Sequence, residues 1–353
     1  MIRSFISCSK VFKVSILACI ALPCCIGGLL SNAASWRPLV AQVSSAAILH
    51  IEWASNATRL RVETKDARIM EVGARTGAFE ENKWVRLPSS SPYFAVSPRG
   101  DTAASLVEDK SQPDQGTTNY APTLCDAKGK VTDVEGEISC SVKVFRFSPD
   151  GTQLLAGADS CGMTPAGENG YWILYQIQRS KFKRVIADDS EPLQVAAWTL
   201  DSKTLWYSLR GGEVDSISHD GKIRRRFNLW NSATRDERDV TALALSTNGQ
   251  TLALATTETS PKTFAQSVAV VDTISGRILH LWHPTTPTTA LAFSSQGDQL
   301  AVADAQTIVI HLLHEQRKRT LPSTTVTTLA FSPDDSHLAV GNSKGRIQVW
   351  RLK

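Results

Sequence analysis

Two glycine-rich segments are the parts of this sequence that most resemble catalytic or phosphate-binding motifs. Residues 341–345 read Gly-Asn-Ser-Lys-Gly and fit the G-x-S-x-G pattern, but a hydrolase nucleophile needs that pattern at a turn from a strand into a helix. Residues 157–164 (GADSCGMT) resemble a phosphate loop, yet Met163 stands where the essential lysine belongs. Neither segment is therefore predicted to carry catalysis or to bind a nucleotide.

Two pairs of histidines have a spacing that could suggest a metal site. His280 and His283 are three residues apart, as are His311 and His314. On a strand this spacing places the two side chains of a pair on opposite faces, so that one strand cannot chelate a metal. The sequence thus predicts no catalytic residue, no cofactor-binding residue and no metal ligand.

A segment of about ten residues recurs seven times along the chain and reveals the elements that any site must be built on. In each copy a large apolar residue precedes a tight turn, as in Ser148-Pro149-Asp150-Gly151, where proline fixes φ and glycine can adopt a left-handed conformation. Asp335 replaces this glycine in the last copy. The residues that open the turns are Ala54, Ser97, Ser148, Thr199, Ser246, Ser294 and Ser332.

The repeat period and the turn signals predict the fold. Neighbouring copies lie 38 to 51 residues apart, and four short antiparallel strands at such a period form propeller blades. The last repeat has only three strands, whereas an extra strand-like segment, residues 36–42, precedes the first. We predict an all-β protein in which residues 35–353 form a seven-bladed β-propeller of four-stranded antiparallel blades, closed by the N-terminal strand.

The last repeat also resembles a known family. Residues 329–341 (LAFSPDDSHLAVG) and 345–350 (GRIQVW) are similar to a WD40 repeat, and residues 144–157 and 290–303 resemble further copies. The resemblance implies a WD40-like β-propeller that acts as a non-enzymatic scaffold for protein partners.

The repeats are degenerate compared with that family. No Trp-Asp or Gly-His pair is intact, and Trp350 is followed by Arg351. His283 stands where the histidine of the family would be, with Asp304 at the matching hairpin. The resemblance therefore implies at most one partial Asp–His brace, between these two residues.

An enzyme is the alternative function that the sequence leaves open. A propeller hydrolase or lactonase with a metal in the central channel would need several acidic or histidine side chains on the innermost strands. The sequence predicts these strands to be rich in Ala, Leu, Val, Phe and Thr, with Arg146 as their one charge. We therefore expect that the protein is not an enzyme and has no cofactor. A third possibility is a propeller subunit of an envelope assembly, which differs from the scaffold only in having a fixed partner.

Residues 1–34 have the order of an export signal. Arg3, Lys10 and Lys13 precede an apolar run of 17 residues, 14–30, and small residues follow at 31–34. This order predicts either a signal peptide cleaved after Ala33 or, because the run is nearly long enough to span a bilayer, an uncleaved membrane anchor. Both alternatives place the propeller on the far side of a membrane. The protein would be periplasmic or otherwise extracytoplasmic, secreted, or anchored with the propeller outside.

The charge balance disfavours nucleic acid as a partner. The formal net charge is +4, but outside the first 34 residues 35 basic residues are balanced by 34 acidic ones. A nucleic-acid-binding domain would carry a clear excess of positive charge. We therefore expect protein partners, with membrane attachment through the N-terminal segment.

Three of the seven cysteines, at 125, 140 and 161, lie outside the leader, and none forms a C-x-x-C pattern. We predict a Cys140–Cys161 disulfide, because both cysteines lie at one end of the predicted first hairpin of blade 3. This pairing places Phe147 opposite Thr152 and Cys140 opposite Asp159.

The connections between second and third strands are unusually long in three blades, at residues 109–119, 159–170 and 257–266. Together with the charged connection 231–239 they emerge on one face, and long connections often carry function. The partner-binding residues predicted on this face are Asp109, Lys110, Asp114, Met163, Glu168, Arg235 and Arg238.

Three clusters of basic residues fall on the predicted outermost strands, at 181–184, 224–226 and 317–319. An anionic partner or a membrane surface would explain them. Protection of the outer edges against strand pairing explains their shared location better.

Overall fold

Strands joined by tight turns make up the regular structure of the chain, and among the described residues there is no helix. A computed structural model describes residues 38–353 apart from 67, 82–93, 110–118, 127–129, 134–141, 159–162, 165–166, 169–170, 179–180, 189–191, 210–211, 228–237, 259–264 and 316. All of the described residues belong to one unit, Arg37–Lys353. No helix in the part of the chain that is described is long and apolar enough to cross a membrane.

Seven four-stranded antiparallel sheets form the blades of a β-propeller. In each sheet the strand named first below lines a central channel, and the others follow outwards. Blades 1 to 3 are β2 (Ile48–Trp53), β3 (Arg59–Thr64), β4 (Ile69–Gly73) and β5 (Phe79–Glu81); β6 (Phe94–Val96), β7 (Thr102–Asp109), β8 (Asn119–Asp126) and β9 (Val131–Asp133); and β10 (Val142–Phe147), β11 (Gln153–Ala158), β14 (Tyr171–Gln178) and β15 (Lys181–Asp188). A separate two-stranded hairpin, β12 (Met163–Thr164) and β13 (Gly167–Glu168), lies between β11 and β14 in sequence.

The remaining four blades follow the same order. They are β16 (Leu193–Trp198), β17 (Thr204–Leu209), β18 (Val214–Ser218) and β19 (Ile223–Phe227); β20 (Arg238–Leu245), β21 (Thr251–Glu258), β22 (Gln266–Asp272) and β23 (Ile278–Trp282); β24 (Ala290–Phe293), β25 (Gln299–Ala303), β26 (Thr307–Leu312) and β27 (Arg317–Pro322); and β28 (Val326–Phe331), β29 (His337–Asn342), β30 (Arg346–Arg351) and β1 (Leu39–Gln42).

The repeated segment is the turn between the first and second strands of each blade. In all seven copies the backbone N–H of the residue that opens the turn donates to the carbonyl oxygen five residues later, as from Ser148 to Gln153 at 2.9 Å. The residue three positions after the opening residue has a positive φ in every blade. These residues are Ala57, Gly100, Gly151, Ser202, Gly249, Gly297 and Asp335. The predicted left-handed conformations of Gly151 and of Asp335 are thus confirmed.

The predicted register of the blade 3 hairpin is wrong by two residues. Phe147 pairs with Leu154 rather than with Thr152, and Val142 pairs with Ala158 across a bulge. The cause is the turn itself, because Gly151 adopts a φ of 72° and the second strand starts only at Gln153.

The N-terminal strand closes the ring, as predicted. β1 pairs antiparallel with β30, with Leu39 opposite Val349. Just beyond β1, the N–H of Val43 donates to the carbonyl oxygen of Gly345 at 3.0 Å. Blade 7 is therefore built from the two ends of the described chain, which removes the open edge that three strands would leave.

The hydrophobic core lies between neighbouring blades rather than inside one sheet. Val268 and Val270 of blade 5 pack with Leu291 and Leu300 of blade 6, and Trp172 of blade 3 lies 5.0 Å from the ring of Tyr207 in blade 4. Because each strand alternates its side chains, both faces of a blade are covered by neighbours, and only its outer edge and the channel stay open.

Candidate functional site

The G-x-S-x-G motif lies between two strands, and the phosphate-loop-like segment 157–164 is described only in part. Residues 341–345 run from the end of β29 through the turn that leads into β30, so the G-x-S-x-G pattern joins two strands rather than a strand and a helix. Gly157 and Ala158 end strand β11. Among the described residues, no group of three His, Cys, Asp or Glu side chains could hold a metal ion.

The predicted partner-binding face is described only in part. Asp109 ends β7 and Arg238 begins β20, while Met163 and Glu168 face each other in the β12–β13 hairpin. Lys110, Asp114 and Arg235 lie outside the described residues, as do Cys140 and Cys161. The three long connections do join second and third strands, and the site on them stays a prediction.

The central channel has a volume of about 670 Å³ and is lined by all seven blades. Blade 2 contributes an inner strand of 3 described residues, Phe94–Val96, whereas β2 and β10 on either side have 6 each. Ionisable side chains of blades 1 and 3 line the channel on both sides of this short strand.

These side chains form a mixed charge cluster, which we call the channel cluster: His50, Glu52, Arg61, Glu63 and Arg146. Glu52 and Arg61 are opposite each other on β2 and β3 and form an ion pair. Arg61 Nη1 also donates to the carbonyl oxygens of Ser97 at 2.8 Å and Pro98 at 3.1 Å in the blade 2 turn. The two terminal nitrogens of the Arg61 guanidinium are therefore engaged by blades 1 and 2, while its buried Nε has no hydrogen-bond partner among the described residues.

The rest of the channel cluster has unusual protonation equilibria. Burial raises the pKa of Glu63 to about 7, although Arg61 and Arg146 partly oppose this shift. Burial and the same two guanidinium groups hold the pKa of His50 well below its ordinary value. Arg146 is accessible from the channel, but the surrounding walls desolvate its guanidinium and lower its pKa, which the charge of Glu63 partly opposes. Carboxyl groups that titrate near neutrality are enriched at functional sites.

The sequence-based description of the inner strands is wrong in one respect. Arg146 is not their one charge, because β2 also carries Glu52 and β20 begins with Arg238 and Asp239. The alternation of Glu52 with His50 along β2, matched by Arg61 and Glu63 on β3, was a signal that could have revealed the channel cluster.

The outermost strand of blade 5 has three exposed large apolar residues, more than any other outermost strand in the described part of the chain. Strand β23 reads Ile-Leu-His-Leu-Trp, and Ile278, Leu279 and Leu281 are 38%, 37% and 43% exposed. Ile274, in the turn before β23, is 65% exposed. A bulge leaves Leu279 without a partner on β22. We call these four residues the blade 5 edge.

Basic strands lie on both sides of the blade 5 edge. The predicted basic clusters are on the outermost strands β15, β19 and β27, which confirms their placement. Arg224 and Arg225 of β19 are exposed, as are Arg317 to Arg319 of β27. The Arg225 guanidinium donates to the carbonyl oxygen of Ile274.

The predicted Asp–His brace does not form. His283 Nδ1 lies 3.2 Å from the Ser267 hydroxyl, while Asp304 accepts a hydrogen bond of 2.6 Å from the Thr286 hydroxyl. The Asp304 carboxylate is instead engaged by Thr286 and by the N–H groups of Gln306 and Thr307, through which it caps its own turn.

His280 of blade 5 and His311 of blade 6 are linked across the two blades by Trp282, which contacts both rings. Trp282 of blade 5 stacks on His280 at 5.4 Å and contacts His311 of blade 6 at 4.2 Å between ring centroids. Burial, Lys318 and His280 lower the pKa of His311 to about 4. This aromatic contact seals the junction of blades 5 and 6 beside the blade 5 edge.

Sequence comparison supports the same architecture. Residues 315–351 match the family described as WD domain, G-beta repeat. This span runs from the outermost strand of blade 6 through the three strands β28 to β30 of blade 7, so that one sequence repeat bridges two blades. No curated protein matches the chain significantly. With seven four-stranded blades and a match to the WD repeat over the last of them, the protein is a seven-bladed β-propeller that is similar to WD40 propellers.

Proposed function

We propose that the protein is a non-enzymatic scaffold that is exported or membrane-anchored and binds a protein partner at the blade 5 edge. WD40 propellers generally mediate contacts between proteins and are generally not enzymes. The observation that carries the proposal is the apolar, exposed character of β23. Strands on the edge of a sheet are normally protected by charged residues, and the edges of blades 3, 4 and 6 are basic.

The chemistry of this surface indicates the kind of partner. An extended segment can add a strand to an exposed edge, where main-chain hydrogen bonds give affinity and side-chain contacts give specificity. The exposed Ile278 and Leu281 favour apolar residues in that segment. The arginines and lysine of β19 and β27 on either side favour acidic residues next to them.

The test compares partner capture by edge variants. Leu279→Lys and Leu281→Lys give the blade 5 edge the charged character of its neighbours, and we expect capture to fall by about tenfold or more. Thr320→Lys, on the exposed outermost strand of blade 6, is the matched control and should capture normally. Equal capture by all three variants would show that the partner binds elsewhere.

The predicted face with Asp109, Lys110, Asp114, Met163, Glu168, Arg235 and Arg238 is the competing site on the same scaffold. Its support is the length of the connections, which exceeds what joining two strands requires. Replacing residues 110–118 and 159–170 with short turns removes most of it. Loss of capture in this variant, with normal capture by Leu281→Lys, would move the site to this face.

Export is proposed from the basic, apolar and small-residue order of residues 1–34. Mass spectrometry of the mature N-terminus distinguishes a signal peptide, with a new N-terminus at Ala34, from an anchor that retains Met1. A full-length protein found free in the cytosol would contradict both.

A propeller hydrolase or lactonase remains the second candidate function, and Glu63 is the observation that favours it. A buried carboxyl group with a pKa of about 7 could act as a general acid or base at neutral pH. The test measures hydrolysis of a panel of esters and lactones. Activity that is lost in Glu63→Gln, but kept in Glu71→Gln at the surface, would support the enzyme hypothesis. An inactive wild-type protein would remove this candidate.

A further inference from the structure

We propose that the central channel binds a small organic acid with an apolar body and a single carboxylate, which the guanidinium of Arg146 holds. This site is separate from the blade 5 edge, because it lies at the innermost strands while β23 lies at the outermost position of its sheet. The inference therefore does not depend on the proposed partner.

The size and the walls of the channel fit such a ligand. Its volume of about 670 Å³ falls within the range of small-molecule pockets, roughly 300–1,000 Å³. The walls combine polar and apolar surface, and the apolar part includes Ala95, Val96, Phe147, Trp198, Leu243 and Leu291. An alkyl or aryl body would gain by leaving water for these walls.

The charges in the channel leave one cation available. Among the described residues, the channel cluster contains every ionisable side chain that lines the channel. Arg61 is paired with Glu52 and bound to two carbonyl oxygens, and His50 is neutral near pH 7 because of its lowered pKa. Arg146 is exposed to the channel, and no described carboxylate lies within ion-pair distance of it. Below about pH 7, where Glu63 is protonated, one uncompensated guanidinium matches one carboxylate.

Glu63 adds a hydrogen-bond donor beside this cation. Glu63 is 8% exposed and lines the channel, and Arg146 influences its protonation. The charged or titratable groups that face it are His50, Glu52, Arg61 and Arg146, while the described strand of blade 2 adds none. In the protonated form the Glu63 O–H can donate to a ligand carboxylate. A dianion would require a second free cation, which Arg61 does not provide.

Isothermal titration of the full chain with octanoate and with octanamide tests the site. The two probes have the same apolar body, and only octanoate carries a charge. We expect octanoate to bind about tenfold tighter or more, and Arg146→Gln to abolish this preference. Arg224→Gln, on the exposed outer strand of blade 4, is the matched control and should retain it. Circular dichroism checks that Arg146→Gln is folded. If it is not, Arg146→Lys is measured instead, and this variant should keep the preference for the charged probe.

The pH dependence gives an independent measurement. Ionisation of Glu63 removes the donor and adds a negative charge, so octanoate affinity should fall several-fold between about pH 6 and about pH 8. In Glu63→Gln, whose amide donates at every pH, this fall should disappear. The proposal is overturned if octanoate does not bind, if octanamide binds equally well, or if Arg146→Gln leaves the preference intact.

Discussion

Glu63 couples the stability of the propeller to pH. Its pKa is raised from 4.5 in an ordinary environment to about 7 in the folded protein. A group with a raised pKa stabilises the fold fully below its unfolded pKa, and this contribution is lost as the pH rises through the folded pKa. Glu63 should therefore lower the free energy of unfolding between about pH 4.5 and pH 7, by roughly 2–3 kcal/mol.

The variant Glu63→Gln removes this titration. We expect it to be more stable than the wild type by roughly 2–3 kcal/mol at about pH 8, and nearly equal to it near pH 5. Urea unfolding at both pH values measures the difference. Glu71→Gln, at an exposed surface ion pair with Arg59, should leave the pH profile unchanged. Parallel profiles for Glu63→Gln and wild type would contradict the burial of this carboxyl group.

Two residues with positive φ should respond to glycine in opposite directions. Thr325 has a φ of 53°, and its buried hydroxyl has no hydrogen-bond partner among the described residues. Asp335 has a φ of 54°, but its carboxylate accepts bonds of 2.6 and 3.1 Å from the N–H groups of Ser295 and Gln296 in blade 6.

Thr325→Gly should therefore raise the free energy of unfolding by about 1 kcal/mol, because it relieves left-handed strain at a β-branched residue. Asp335→Gly should lower it by about 1–3 kcal/mol, because it leaves the turn of blade 6 without its acceptors. Chemical unfolding measures both values. Shifts of the same sign in the free energy of unfolding would show that backbone strain, and not the hydrogen bonds between blades, determines the effect of glycine at both positions.

At the scale of an element, the blade 3 hairpin tests the predicted disulfide. Val142 and Ala158 are the last described pair of this hairpin, and Cys140 precedes and Cys161 follows this pair in sequence, outside the described residues. Peptide mapping without reduction should yield a Cys140–Cys161 linked peptide. Cys125 is buried and free and should be alkylated only after unfolding.

The bridge should contribute about 3 kcal/mol to stability for a loop of this length. Reduction should therefore lower the melting temperature of the wild type but not of Cys140→Ser. Rapid alkylation of both cysteines in the native, unreduced protein would rule the bridge out.

At the scale of the molecule, closure of the ring depends on a close approach of backbone at Gly345. A Cβ atom there would lie 2.1 Å from the carbonyl oxygen of Ser44, whereas at Gly100 nothing lies within 4 Å. Both glycines have a φ of 72°, so alanine introduces the same backbone strain at each, about 1–2 kcal/mol.

Gly345→Ala should consequently destabilise the protein by several kcal/mol more than Gly100→Ala, because it also forces β1 away from β30. Thermal unfolding of both variants measures the difference, and limited proteolysis near residue 42 should increase only in Gly345→Ala. Equal melting temperatures would show that the contact with Ser44 is not needed for closure.

The repeat architecture could be predicted from the sequence because its determinants are local. The hydroxyl of Ser148 accepts a hydrogen bond from the Gln153 N–H at 2.9 Å, and Ser332 bonds in the same way to His337. Such a turn thus favours a small polar residue such as serine at its opening position. This preference recurs from blade to blade and can be seen as a repeat in the sequence. The missing fourth strand of the last repeat likewise pointed directly to closure by β1.

Only the tertiary structure decided the channel cluster and the blade 5 edge. Glu63 and Arg146 come from different blades, and their influence on each other arises from the closure of the ring around the channel. The sequence of β23 is apolar except at His280, as in a strand buried on both faces, and its exposure follows from its position as the last strand of its sheet. Residues distant in sequence acquire a shared environment only when the blades pack, so local patterns determined the blades, and packing between them determined the sites.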